Sequence, residues 1–215
     1  IKAAAGSPRV HPGEPMKNAA EICSVIDQAE ALKADVLVLP ELVLSGYTAA
    51  DLFLRAPLLE GVLTALECIK DHLKRPESEG LIVVLGAPIR ADGRLFNCAV
   101  FLQNGRVLGI VPKSHLPNYQ EFYEARWFSP ASEAVSSTLE LLGDTVPFGT
   151  DLIFESASGL AIAAEICEDL WVAQPPATAA AAAGANVIVN LSASNETAGK
   201  AKFRRELVRL QSARS

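Results

Sequence analysis

The chain has 215 residues, half of them hydrophobic and a fifth charged, so it can bury a substantial core and reads as a globular unit. Its formal net charge of −6 and its scattered Lys and Arg exclude the broad basic footprint that nucleic acid requires. Four cysteines without CxxC or finger-like Cys/His spacing exclude a disulfide scaffold and fit a reducing, cytoplasmic setting, and the apolar runs fall far short of the ~20 residues that cross a bilayer.

Met16–Lys33 places Ala19, Ile22, Cys23, Ile26, Ala29 and Leu32 at helical spacing and leads into the strand-like run Val36–Leu39, which stops at Pro40. A second helical stretch covers about Ala49–Leu73. A strand over Leu81–Ala87 follows, then strands Phe96–Gln103 and Val107–Val111, joined into a hairpin by Asn104-Gly105. Lys113 to about Thr150 reads as irregular. Strands at Leu152–Phe154 and Leu160–Ile166 flank a turn at Ser156-Ala157-Ser158-Gly159. An alanine-rich helix at Ala177–Ala183, a short strand at Val187–Val189 and an amphipathic basic helix at Lys200–Arg214 complete the order. This is a mixed α/β pattern in one domain, residues 1–215. The last helix meets no stop signal before Ser215, so the domain is expected to be incomplete at its C-terminal end.

Three reactive side chains fall where predicted strands end: Glu41 after Pro40, Lys113 after Pro112 and Cys167 after Ile166. Active sites gather at such ends because the loops there vary on a rigid sheet. A cysteine attacks as thiolate and needs a base for its proton and positive charge beside it. Glu41 can be that base and Lys113 that charge, and Lys113 with the backbone N–H of Glu168 can stabilise the anionic tetrahedral intermediate of acyl transfer. Spacing alone leaves plainer readings open. A cysteine ending an apolar strand can be an ordinary small hydrophobe, the reading given to Cys23, Cys68 and Cys98; Glu41 can be a helix-start acid and Lys113 a loop lysine.

Pro40-Glu41-Leu42 with Ser45-Gly46-Tyr47, then Pro112-Lys113-Ser114-His115-Leu116-Pro117-Asn118-Tyr119, then Glu165-Ile166-Cys167-Glu168-Asp169-Leu170-Trp171 resemble, in this order, the three signature blocks of the nitrilase superfamily. The Cys-Glu-Asp-Leu-Trp form, the stretch Leu116–Glu124, Pro147–Asp151 and Asn190–Ser194 are similar to the glutaminase domain of glutamine-dependent NAD synthetases, over essentially the whole chain. The resemblance implies an αββα sandwich that hydrolyses L-glutamine and passes ammonia to a separate synthetase domain, within a homo-oligomer. It implies Cys167 as nucleophile, Glu41 as general base, Lys113 as charge stabiliser, Glu124 as a supporting carboxylate that orients Lys113 or the substrate, and Tyr47, Tyr119, Phe122, Glu168 and Ser194 as the glutamine pocket. No metal or cofactor is expected for this domain; ATP and Mg belong to the synthetase domain, whose SGGxDS-type phosphate loop does not occur in these residues. A free-standing amidase or carbamoylase for another small amide, or a catalytically idle scaffold, are the alternatives. Trp127 and Trp171 are read as packing residues, His115 as a hydrogen-bonded structural histidine, and Lys200, Lys202, Arg204, Arg205 and Arg209 as a solvated helix face.

Overall fold

A computed structural model describes residues 1–156 and 159–214. Strands β1 (Ala3–Ala5), β2 (Val36–Val38), β3 (Ile82–Ala91), β4 (Arg94–Gln103) and β5 (Arg106–Pro112) form a five-stranded sheet in that order. The first two pairings are parallel and the next two antiparallel. A second sheet has the order β10 (Val187–Leu191), β9 (Ala161–Ile166), β8 (Phe154–Glu155), with β9 and β10 parallel. Helices α1 (Pro15–Ala31) and α2 (Ala56–His72) lie on the first sheet, and α3 (Pro176–Ala182) and α4 (Lys200–Arg214) follow on the side of the second.

The period-two alternation of strands divides the apolar side chains between two cores. Leu37, Val83, Leu85 and Ala87 pack with Ile22, Ile26, Val62, Leu66 and Ile69 of α1 and α2, whereas Val36, Val84, Ala99, Phe101 and Val111 meet Ile162, Ala164, Ile166, Val189 and Leu191 of the second sheet. The ring of Phe101 stacks on Phe154 across that seam, with centroids 3.8 Å apart. The layers are therefore helix, sheet, sheet, helix, the expected αββα sandwich. Among the described residues no helix is long and apolar enough to cross a membrane.

The Asn104-Gly105 hairpin forms as expected, both residues at positive φ (49° and 70°) as a two-residue type I′ turn requires. Asp92-Gly93 (52° and 74°) closes the β3–β4 hairpin in the same way. The helical stretch 49–73 is not continuous: a 3₁₀ segment, Tyr47–Leu54, kinks at Ala50 (φ 53°), Arg55 is extended, and α2 restarts with Pro57 in its first turn. The irregular segment 113–150 contains a hairpin of β6 (Thr138–Leu141) and β7 (Asp144–Pro147), turned at Leu142-Gly143, that alternation over four residues was too short to signal. In the turn at Ser156–Gly159, Ala157 and Ser158 lie outside the described residues, while the Gly159 N–H donates to the Ser156 carbonyl (3.0 Å). The basic helix α4 forms over Lys200–Arg214 as expected and exposes its charged residues Lys202, Arg205 and Arg209; Phe203, Val208 and Leu210 are exposed as well, and Gln211 is its buried residue.

Candidate active site

Glu41 stands one residue past the Leu39-Pro40 end of β2, in a tight loop pressed against β3. Gly86 makes the approach possible. A Cβ there would sit 2.2 Å from the Leu42 nitrogen and 2.6 Å from the Pro40 oxygen, and the Gly86 N–H donates to that same oxygen (3.2 Å). Leu42, at φ 50°, completes the turn. Lys113 follows β5, its backbone N–H held by the Asn97 carbonyl (2.8 Å) of neighbouring β4. Cys167 directly follows β9 at φ 47°, a left-handed conformation uncommon for a side-chain-bearing residue and a position that turns the chain sharply out of the strand.

These loops converge on a buried ionic cluster. The Lys113 ammonium, fully buried, donates to Glu41 Oε1 (2.7 Å) and to both oxygens of Glu124 (2.8 and 2.9 Å). Asn97 Nδ2 also donates to Glu41 Oε1 (2.8 Å), and the Ala193 N–H, after β10, donates to Glu41 Oε2 (3.0 Å). Oε1 thus carries two strong donors and Oε2 one, so Oε2 keeps the lone pair better placed to take a proton. The Tyr47 hydroxyl donates to Glu124 Oε1 (2.8 Å). Burial disfavours the Lys113 ammonium, but Glu41, Glu124 and Cys167 outweigh it and raise its pKa above the usual lysine value. For Glu124 burial, aided by Glu41, prevails over Lys113 and the carboxyl is pushed up; the Tyr47 phenol is pushed up by burial and by Glu124.

Burial, with Glu41 beside it, pushes the Cys167 thiol up to about 12, against the pull of Lys113 and of the Ser192 hydroxyl. Two carboxylates surround the one ammonium, so the positive charge of Lys113 does not prevail at the thiol.

Asp169 ties the turn at Cys167 to the loop that carries Lys113. Its Oδ1 accepts from the His115 N–H (2.8 Å) and its Oδ2 from Ile166 N–H (3.0 Å), with the Ser114 N–H at 3.4 Å. His115 itself is exposed, so the structural contribution comes from its backbone rather than its ring. At the rim, the Tyr119 hydroxyl donates to Glu168 Oε2 (2.9 Å), and Phe122 sits edge-on to both Tyr47 and Tyr119, with centroids 6.4 and 6.0 Å apart. Burial and the Glu168 hydrogen bond push the Tyr119 phenol up to about 12. Ser194 lies in the loop after β10, one residue from Ala193, and is half-buried. Glu41 and Tyr47 line a cleft of ≈ 300 Å³ with Val10, Pro12 and Ala193.

All nine sequence-derived site residues thus belong to the loops at one end of the two sheets. The spacing argument missed Asn97, Asp169 and Gly86, although a lone asparagine inside the apolar run Phe96–Leu102 was a visible signal for a buried polar role. Among the residues read as structural, only two of the cysteines depart from expectation. Cys98 is buried, but Cys23 is half-buried and Cys68 is exposed on α2. Trp127 packs on Phe53 and Tyr123 while its indole N–H donates to Asp51 (2.9 Å). Trp171 stacks on Phe203 beneath the Lys200 ammonium.

The double sandwich with a cysteine, a lysine and a glutamate at its strand ends defines a nitrilase-like hydrolase. A model of the carbon-nitrogen hydrolase family matches residues 2–214, and the chain belongs to that family. A glutamine-dependent NAD(+) synthetase of Mycobacterium tuberculosis is 44% identical over 207 residues, covering 94% of this chain and 30% of that protein. The crystal structure of a glutamine-dependent NAD(+) synthetase from Cytophaga hutchinsonii superposes with a TM-score of 0.81 at 30% identity, over 97% of this chain and 33% of that one. An amidase from Nesterenkonia sp. shares the fold at a TM-score of 0.74 and 18% identity, over 98% of this chain and 71% of that one. The chain spans about a third of the length of the synthetases it matches.

Proposed function

We propose that this chain hydrolyses the side-chain amide of L-glutamine through a thioester on Cys167 and supplies the ammonia to a synthetase domain that amidates nicotinic acid adenine dinucleotide. Glu41 Oε2 takes the thiol proton as Sγ attacks the amide carbon. Lys113 and the Glu168 N–H oppose the oxyanion, and collapse returns the proton from Glu41 to the departing nitrogen, which leaves as ammonia. Water, deprotonated by the same carboxylate, then attacks the thioester and releases glutamate and the thiol. Glu124 holds Lys113 in place, and Tyr47, Tyr119, Phe122, Glu168 and Ser194 receive the amino-acid head group. These steps use only the chain's own side chains; ATP and Mg belong to the synthetase reaction. A homo-oligomer in the reducing cytoplasm completes the reading.

The observation that carries it is the buried cluster in which Lys113 bridges Glu41 and Glu124, at the strand end shared with Cys167. A carboxylate pair around an ammonium removed from water is costly unless its fixed geometry serves chemistry. The glutamine-dependent relatives support the choice of amide. Ammonia release from L-glutamine by the protein and by Cys167→Ala, with asparagine and a simple aliphatic amide as controls, tests it. Glutamine-selective release lost in the variant is the expected result. Release from the aliphatic amide alone would favour a generic amidase, and no release from any amide would favour the idle scaffold.

A further inference from the structure

The polar ladder behind the nucleophile is used by none of the steps above. Strands β9 and β10 run parallel in a register that pairs Glu165 with Asn190 and Ile166 with Leu191. One position further along this register, Cys167 and Ser192 leave the sheet side by side, and the Ser192 hydroxyl bears on the Cys167 thiol. The Ser192 hydroxyl also donates to Asn190 Oδ1 (2.6 Å), Asn190 Nδ2 donates to Glu165 Oε1 (3.2 Å), and the Ala177 N–H at the start of α3 donates to Glu165 Oε2 (3.2 Å). Glu165 is almost completely buried.

We propose that Ser192 is a positioning residue for the Cys167 nucleophile and that Asn190 and Glu165 set which way its hydroxyl proton points. A serine has one hydroxyl proton. Glu165 as a carboxylate only accepts, so Asn190 must turn its NH₂ to Glu165 and its carbonyl to Ser192. The Ser192 proton then points at Asn190, and the Ser192 oxygen accepts the S–H of the resting thiol. When the thiol proton leaves for Glu41, the hydroxyl swings its own proton to Sγ. The ladder thus holds the sulfur in one place in both protonation states, and Asn190 competes with the thiolate for a single proton. The charged and titratable groups that face Sγ from the other loops are Glu41, Lys113, Glu124, Tyr47 and Tyr119.

This inference rests on Cys167 being the nucleophile of the proposed reaction, but its test does not need that reaction. The rate of alkylation of Cys167 by iodoacetamide, followed by mass spectrometry of the Cys167 peptide between pH 7 and 9, is proportional to the thiolate fraction there. Ser192→Ala removes the thiolate's donor and lowers that rate about tenfold, one hydrogen bond to a charged group being worth about one unit of pKa. Ser192→Thr keeps the hydroxyl and restores it. Glu165→Gln acts in the opposite direction. The introduced amide keeps its oxygen on the Ala177 N–H and turns its NH₂ to Asn190, which flips and frees the Ser192 proton for sulfur, raising the rate about threefold. In the S192A background Glu165→Gln has no effect, because the hydroxyl that it acts through is gone. A loosened fold would expose Cys167 and speed alkylation in S192A; an unchanged or faster rate in S192A overturns the proposal. So does an equal gain from Glu165→Gln with and without Ser192, which would mark a remote charge effect. Loss of glutamine hydrolysis with this alkylation pattern intact would instead overturn the proposed reaction and leave the ladder standing.

Discussion

At the floor of the site, the side chains of Lys113, Glu41 and Glu124 are almost entirely removed from water, whereas at the rim Tyr119 and Glu168 are joined by one hydrogen bond on a tyrosine that is half exposed. The two regions obey different energetics. On the floor every charge depends on its partners, because an isolated buried ion costs several kcal/mol, so the geometry is rigid. At the rim water replaces a lost partner at little cost, and the aromatic side chains can adjust to whatever enters. The floor is therefore suited to chemistry and the rim to recognition.

The sharpest way to break this contrast is Lys113→Met. It leaves two carboxylates facing each other in a dry site and is expected to cost about 3–5 kcal/mol. In a chain of this size that lowers the midpoint of thermal unfolding by about 10 °C, and amide hydrolysis is lost. Adding Glu41→Gln and Glu124→Gln to the same variant should recover much of the stability while activity stays absent, since the cost lies in uncompensated charge. Differential scanning calorimetry of both variants decides; a variant no less stable than the parent would show the floor to be hydrated. Gly86→Ala comes next. Its methyl must displace the Pro40–Leu42 loop, and, if Glu41 is the base as proposed, a shift of about 1 Å in its carboxylate lowers turnover by about 100-fold, with KM for glutamine much less affected.

Protonation separates the two regions further. Because burial pushes the Cys167 thiol up to about 12, the thiol form prevails through the neutral range. Its alkylation should climb about tenfold per pH unit through pH 10 with no plateau, where an ordinary cysteine levels off near its pKa of about 8.5. A plateau near pH 7 would mean that Lys113 prevails over burial and Glu41, and that Cys167 rests as a thiolate.

Much of the architecture was legible because α1, β2 and the β4–β5 hairpin carry unbroken periodicity and an Asn-Gly turn, signals that depend only on neighbouring residues. The three reactive side chains were legible by their position after strand ends and by the blocks around them. What stayed hidden was set by contacts distant in sequence. Gly86 matters because a loop 40-odd residues upstream touches it, and Asp169 because its carboxylate reaches the backbone of residues 114 and 115. The sign of the Cys167 shift was hidden for the same reason, since it depends on how many carboxylates share one ammonium after folding. In α4 the helix was legible, but periodicity says that a face is apolar without saying what covers it.

The smallest expected effect is at the rim. Tyr119→Phe deletes one hydroxyl whose partner, Glu168, stays half-buried and open to water. Unfolding stability should change by less than about 0.5 kcal/mol, as for other exposed polar contacts. The ring keeps its edge contact with Phe122, so the pocket wall remains. If Tyr119 and Glu168 together receive the amino-acid head group, KM for glutamine rises by about threefold to tenfold with kcat nearly unchanged, the pattern of binding lost equally from ground and transition states. Steady-state kinetics distinguishes this from the alternative in which kcat falls as well. A fall in kcat would mean that the Tyr119–Glu168 bond also holds the Glu168 N–H in place for the oxyanion, so that rim and floor act as one unit.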